Sequence, residues 1–240
     1  MLRPIQIGVV QALAVSRPGS ARLPAPALGD IAVVLVIGED SIQAKRILSQ
    51  WSRHEEAGAD SAAAAIRRRR QLGRALLRKL LVEAAHFAPL HCRFTVEPQG
   101  RPVIRDANRR RHTAISLAHT GGWLAGALGL GTAIGIDIEY HQPNRNFAAL
   151  ARAAFGPQER GHVDGGGARE FYRIWTLREA MAKANGVGLS FVLDGRDHVT
   201  PSAAEASHWF LHHSEPIPGL SVAVVVAKGT RGRLWPGQPS

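Results

Sequence analysis

Cysteine is almost missing from this 240-residue chain. The single thiol, Cys92, excludes an internal disulfide and a cysteine-built zinc site, and it fits a reducing compartment. Long hydrophobic runs are missing too. No stretch reaches the roughly 18–20 apolar residues that a membrane helix needs. The start, MLRPIQIGVVQALAVSRPGSA, has the look of a weak signal peptide, but Gln6 and Gln11 interrupt it and its flanks are poor. Gln6 to Ala14 therefore reads as a buried strand. Aromatics are only 6% and none interleaves with the arginines, which counts against a stacking platform for nucleic acid. Low-complexity blocks and short repeats are absent. Acidic residues are in deficit, 19 against 30 Lys and Arg, for a formal charge of +11. That balance speeds association with anionic partners without choosing among nucleic acid, an anionic membrane, a polyphosphate cofactor and an acidic protein.

What is present is ordinary for a folded chain, with 45% apolar residues and enough length for one large domain or two small ones. Ile31 to Ile37 is a β-branched run and predicts a buried strand. Ser41 to Arg53 predicts a helix with Ser41 as its N-cap. Ile66 to His86 carries the strongest helical pattern. Leu72, Leu76 and Leu80 line one face, and Arg67, Arg70, Arg74 and Arg78 the other. That basic face is either solvated or an anion-binding stripe. Cys92 to Val96 is strand-like, and EPQGRPVIRD reads as a loop turning at Gly100-Arg101-Pro102. Thr113 to Ala118, Trp123 to Leu128 and Ile134 to Glu139 predict three strands in a β-meander, joined at Gly121-Gly122 and at Gly129 to Gly131. Glycines 126 to 135 lead into a strand rather than a helix, so they are not a dinucleotide loop. Phe147 to Phe155 predicts a short helix and Gly156 to Gly167 a mobile connector. Glu170 to Asn185 predicts a helix stopped by Gly186, and Leu220 to Val226 a buried strand. Thr230 to Ser240 reads as a frayed tail.

The chemistry is concentrated in two short segments. In IGIDIE, Asp137 and Glu139 are two apart and share one side of a strand, while Ile134, Ile136 and Ile138 turn to the core. Two adjacent carboxylates repel. A divalent cation stabilises the pair, and an all-oxygen set suits Mg²⁺; two surface acids are the plain alternative. In WTLREAMAKANG, Glu179 and Lys183 lie one turn apart on one helix face, which taken alone reads as an ordinary ion pair. Trp175 on the same face suits core packing. His119 ends a strand beside the Gly121-Gly122 turn, where an imidazole can meet phosphate or simply shape the turn. His208, His212 and His213 show no partner carboxylate pattern.

The order of these segments resembles the 4′-phosphopantetheinyl transferase superfamily, in its long, surfactin-synthetase-activating type. That family carries a Gly-x-Asp-x-Glu strand and then a Trp-Ser/Thr-x-Lys-Glu-Ala-x-x-Lys helix, preceded by a Leu-Ser-His-Ser-like stretch and a Gly-Lys-Pro turn. Here these read Gly135-Ile-Asp137-Ile-Glu139, Trp175-Thr-Leu-Arg178-Glu179-Ala-Met-Ala-Lys183, Leu117-Ala118-His119-Thr120 and Gly100-Arg101-Pro102. Arg69 to Leu80 resembles the family's N-terminal basic helix. Arg178 and Arg101 stand where Lys is usual, keeping the charge, and Ala118 lacks a common hydroxyl.

The resemblance implies an α+β fold of two similar halves, 1–130 and 131–240, related by a pseudo-twofold axis with coenzyme A between them. It implies a cytoplasmic monomer that moves phosphopantetheine from coenzyme A to a serine of an acidic acyl or peptidyl carrier protein. Asp137, Glu139 and Glu179 would hold Mg²⁺. Glu179 and Lys183 would be catalytic, and His119, Arg101, Arg69 and Lys183 would contact coenzyme A. A basic nucleic-acid-binding module without activity is the rival class. Membrane and nucleic acid are not expected partners.

Overall fold

The computed structural model describes residues 10–15, 31–52, 64–85, 93–96, 102–105, 113–200 and 208–227. The expectations for residues 6–9, for Cys92, for the Gly100-Arg101 turn and for the tail from Thr230 lie outside the described residues. The chain is α+β and divides into two units, Met1–Gly131 and Thr132–Ser240.

In the first unit the strands are β1 (Val10–Val15), β2 (Ile31–Gly38), β3 (Arg93–Val96), β4 (Pro102–Arg105), β5 (Thr113–Thr120) and β6 (Trp123–Leu130). The helices are α1 (Ile42–Trp51) and α2 (Ala64–Ala85). The main sheet runs β1-β2-β6-β5, with β1 parallel to β2 and the other pairs antiparallel. Gly121 and Gly122, at φ 46° and 81°, form the left-handed turn that a tight hairpin requires. Ser41 caps α1 by accepting from the Ala44 amide at 3.1 Å. The leucine stripe of α2 packs with Ile37, Ile115, Leu124 and Leu128. Two expectations are corrected here. Pro102 to Arg105 is not loop, because it pairs with β3 from Val96↔Pro102 to Arg93↔Arg105. Arg78 is not on a solvated face. It is 3% exposed, its guanidinium donates to the Trp51 carbonyl, and it lies 5.5 Å from the Phe94 ring centre.

The second unit holds β7 (Ile134–Tyr140), α3 (Phe147–Ala154), α4 (Pro157–Asn185), α5 (Leu189–Val192), β8 (Trp209–Ile217) and β9 (Leu220–Ala227). Its sheet is β7-β9-β8, antiparallel throughout. The expected meander is therefore wrong. β7 pairs with β9, from Ile134↔Val226 to Tyr140↔Leu220, and not with β6. The physical reason is that β9, apolar except for Ser221, is central and needs a neighbour on both edges; β8, which the sequence reading missed, supplies one and β7 the other. Gly129 lies inside β6, and Gly131 (φ 72°) makes the break.

The expected connector at Gly156 to Gly167 is helix instead. Pro157 opens α4, and the Asp197 carboxylate accepts from the amides of Gln158 and Glu159 at 3.3 and 3.0 Å. A cap from 38 residues away stabilises a glycine-rich turn that local propensity disfavours. Gly167 (φ 60°) kinks the helix, and Gly186 (φ 69°) ends it. Taken separately, each unit threads a strand, two helices and then a hairpin whose second strand returns beside the first. These paths are β2-α1-α2-β5-β6, with the β3–β4 pair inserted after α2, and β7-α3-α4-β8-β9, with the short α5 inserted after α4.

Candidate active site

The site begins with a missing side chain. A Cβ on Gly135 would lie 1.9 Å from the Ala180 carbonyl oxygen and 2.7 Å from the Ala184 amide nitrogen. Only hydrogen fits there, so the backbone of α4 rests directly on β7. Ala180 and Ala184 are four apart and fully buried at this contact. Glu179 and Lys183 each precede one of these alanines by one residue. Two and four residues beyond Gly135, on the same side of β7, stand Asp137 and Glu139. The seam thus carries two acidic side chains from the strand toward an acid and an ammonium from the helix. The expectation that Asp137 faces away from the core is corrected: it is 6% exposed, while Glu139 is half-buried and Ile134, Ile136 and Ile138 on the opposite side are buried as expected.

Lys183 Nζ donates to Asp137 Oδ1 at 2.6 Å. Burial pushes the Glu179 carboxyl above the ordinary carboxylate value. The Asp137 charge pushes it further, Lys183 opposes, and Glu139 adds to the rise. The four side chains therefore share one electrostatic environment. Three hard oxygen donors in mutual repulsion fit Mg²⁺ in chemical type. As the side chains stand, no three of His, Cys, Asp and Glu are placed to hold a metal, among the described residues. Asp137 faces the Lys183 ammonium instead.

Arg178, expected to stand in for a lysine by charge, has a different task. It is 0% exposed. Its five N–H groups donate to Glu159 Oε2 (2.6 Å), Asp194 Oδ1 (3.1 Å) and the carbonyls of Val192, Arg196, Ala154 and Phe191. Glu159 in turn accepts from the amides of His198 and Val199. The guanidinium ties α4 to the end of α3, to α5 and to the loop after it, and so fixes the helix that presents Glu179. A buried arginine with this many acceptors is not legible from charge alone.

The sequence reading also missed a polar row beyond Glu139. Ser221, opposite Glu139 in the β7–β9 register, is fully buried. Its hydroxyl lies 2.8 Å from His141 Nε2 and 3.0 Å from His213 Nε2. One imidazole must accept the single hydroxyl proton, and the other must donate. His141 stacks on Tyr172 at 4.4 Å. Burial, and next the Arg173 charge, lowers His213 to about 4. Trp175 packs on the core beside Phe171, as expected.

Asp137, Glu139, Glu179 and Lys183 are thus brought together, all within the second unit. His119 and Arg69 belong to the first. His119 is exposed at the turn end of β5, on the side that also carries Ile115 and Leu117. Arg69 donates through Nε to Glu39 Oε1 at 2.7 Å. Arg101 lies outside the described residues.

A carboxylate of raised pKa beside an ammonium, held on a rigid strand–helix seam, has the make-up of an acid–base site of an enzyme. Comparison with known proteins narrows that class. The model of the 4′-phosphopantetheinyl transferase superfamily matches residues 133–223, which span both β7 and α4. HetI of Nostoc, a 4′-phosphopantetheinyl transferase, is 30% identical over 178 residues, covering 70% of this chain and 75% of HetI. The Synechocystis protein slr0495, which carries the same family name, is 33% identical over 158 residues, 60% of this chain. The match spans 63% of that relative, less than two thirds of its length. A 4′-phosphopantetheinyl transferase of Bacillus subtilis, ffp, is 28% identical over 176 residues, 65% of this chain and 73% of its own. The chain belongs to the 4′-phosphopantetheinyl transferase superfamily. No described helix is long and apolar enough to cross a membrane.

Proposed function

We propose that this chain moves the 4′-phosphopantetheine arm of coenzyme A onto a serine of an apo acyl or peptidyl carrier protein, releasing adenosine 3′,5′-bisphosphate. The observation that carries the reading is the meeting of Glu179 and Lys183 with Asp137 across the β7–α4 seam, in a chain of this family. The serine oxygen attacks the β-phosphorus of coenzyme A. A new P–O bond forms as the bond to the bridging oxygen breaks. Glu179 takes the serine proton, and its raised pKa makes it a better base than an ordinary carboxylate. Lys183 stabilises the leaving phosphate or gives it a proton. Asp137, Glu139 and Glu179 are the residues that would hold Mg²⁺, which when bound supplies charge neutralisation at the pyrophosphate. His119, Arg101 and Arg69 contact the coenzyme A phosphates; among the described residues Arg69 commits one of its five N–H donors, to Glu39.

The form we propose is the long, surfactin-synthetase-activating type, a cytoplasmic monomer whose halves, 1–130 and 131–240, are related by a pseudo-twofold axis. The strand, two helices and hairpin that recur in both units, apart from β3–β4 in the first and α5 in the second, support the two similar halves. The test is a mass gain of the phosphopantetheine arm on purified apo-carrier incubated with coenzyme A and Mg²⁺. Activity is expected to vanish in chelator, and Lys183→Ala to lower kcat more than coenzyme A affinity. No mass gain on either acyl or peptidyl carriers would overturn the reading, and undiminished transfer in chelator would remove the metal from it.

A further inference from the structure

Three carboxylates and one ammonium leave the β7–α4 seam with a formal charge of −2. Adding a divalent cation brings that sum to zero, so the charges call for the metal and the lysine together. The geometry has the lysine where a metal ligand should be open. Lys183 Nζ lies 2.6 Å from Asp137 Oδ1, and no three acidic or imidazole groups converge, among the described residues. Two cations on one nearly buried carboxylate repel. One must withdraw, and the lysine is the one that can. The Lys183 side chain is 32% exposed against 8% for Asp137, so it already reaches solvent and carries its ammonium on a flexible four-carbon stem. It also sits in the last turn of α4, where the helix carbonyls favour a positive charge and keep a released ammonium close by.

We propose that the Lys183 ammonium is the resident counter-cation of this cluster and is exchanged at Asp137 for the divalent ion, so that metal binding frees Lys183 to meet the substrate phosphates. The inference rests on the metal reading above and goes beyond it: Lys183 is switched by the metal rather than preset. It also explains how the seam tolerates its clustered acids before any ligand arrives.

The exchange can be read without turnover. The full chain is acylated with acetic anhydride, and the rate at Lys183 is followed by peptide mass spectrometry, with exposed Lys45 on α1 as internal reference. Metal occupancy is measured separately from the spin-resonance signal of Mn²⁺. Lys183 should react slowly without metal and several-fold faster at saturating Mg²⁺, while Lys45 does not change. In Asp137→Asn, Lys183 should react fast from the start and ignore Mg²⁺. Mn²⁺ binding with an unchanged or slower rate at Lys183 overturns the exchange and leaves the metal reading standing. No Mn²⁺ binding overturns both. Should Asp137→Asn fail to fold, Lys183→Gln serves instead. It should bind Mn²⁺ several-fold more tightly than the parent, and equal or weaker binding counts against the exchange.

Discussion

Replacing Gly135 by alanine tests whether a missing side chain sets the geometry of the site. The new Cβ would lie 1.9 Å from the Ala180 oxygen, and ordinary contact begins near 3.4 Å. The strand and helix must therefore part by about 1.5 Å at this point, since the obstacle is backbone and cannot rotate away. Overpacking of this kind costs about 1–3 kcal/mol, a fall of roughly 2–12 °C in melting temperature for a chain of this size. The effect on rate should be larger. An opening of that size carries Lys183 and Glu179 away from Asp137, and a displacement of about 1 Å at a reacting group can cost about a hundredfold. The assay pairs a thermal melt with single-turnover transfer from coenzyme A to an apo-carrier. Gly126→Ala on β6 is the control. The atoms nearest its methyl belong to the side chains of Leu76 and Leu80, at 3.0 to 3.3 Å, and these can rotate. It should lower the melt and leave transfer nearly intact. Gly135→Ala protein that melts early yet transfers at the parent rate would refute the reasoning, because the seam would then not set the site.

Arg178→Lys should lose about 2–4 kcal/mol in urea unfolding, because an ammonium cannot serve six acceptors and leaves part of the buried Glu159 cluster unmatched; a loss under 1 kcal/mol would count against the hub. His213, held near 4 against an ordinary 6.5, is favoured as the neutral form in the folded chain. Its contribution is complete above pH 6.5 and is lost as pH falls toward 4, by up to about 3 kcal/mol. Melting temperatures over that window should flatten in His213→Gln, and an unchanged slope would contradict the assignment. Arg78→Glu should unfold the first unit by burying a carboxylate beside the Trp51 carbonyl. Arg70→Glu, at an exposed position on α2, should leave the melt alone and raise the carrier KM most at low salt. Equal melts for these two would show that the helix face was misassigned.

Local pattern determined much of this protein. The leucine spacing of α2, the β-branched runs of β2 and β9, the Ser41 cap and the Gly121-Gly122 hairpin each express a preference among near neighbours, and each is where the sequence placed it. The pairing of Asp137 with Glu139, and of Glu179 with Lys183, was legible for the same reason, because strand and helix periods alone set who shares a face. Tertiary structure decided what depends on partners far along the chain. β7 leaves β6 because a central apolar strand more than 80 residues later offers it a covered edge, as Ile134↔Val226 records. The stretch after Gly156 is helical because Asp197 caps it. Arg178 and Arg78 are buried because acceptors and an aromatic ring converge on them from other elements, which outweighs the solvation of a charge. The meeting of the two acidic segments also belongs to the tertiary level: 42 residues separate Asp137 from Glu179, and only the absence of a side chain at Gly135 lets the helix come close enough to join them.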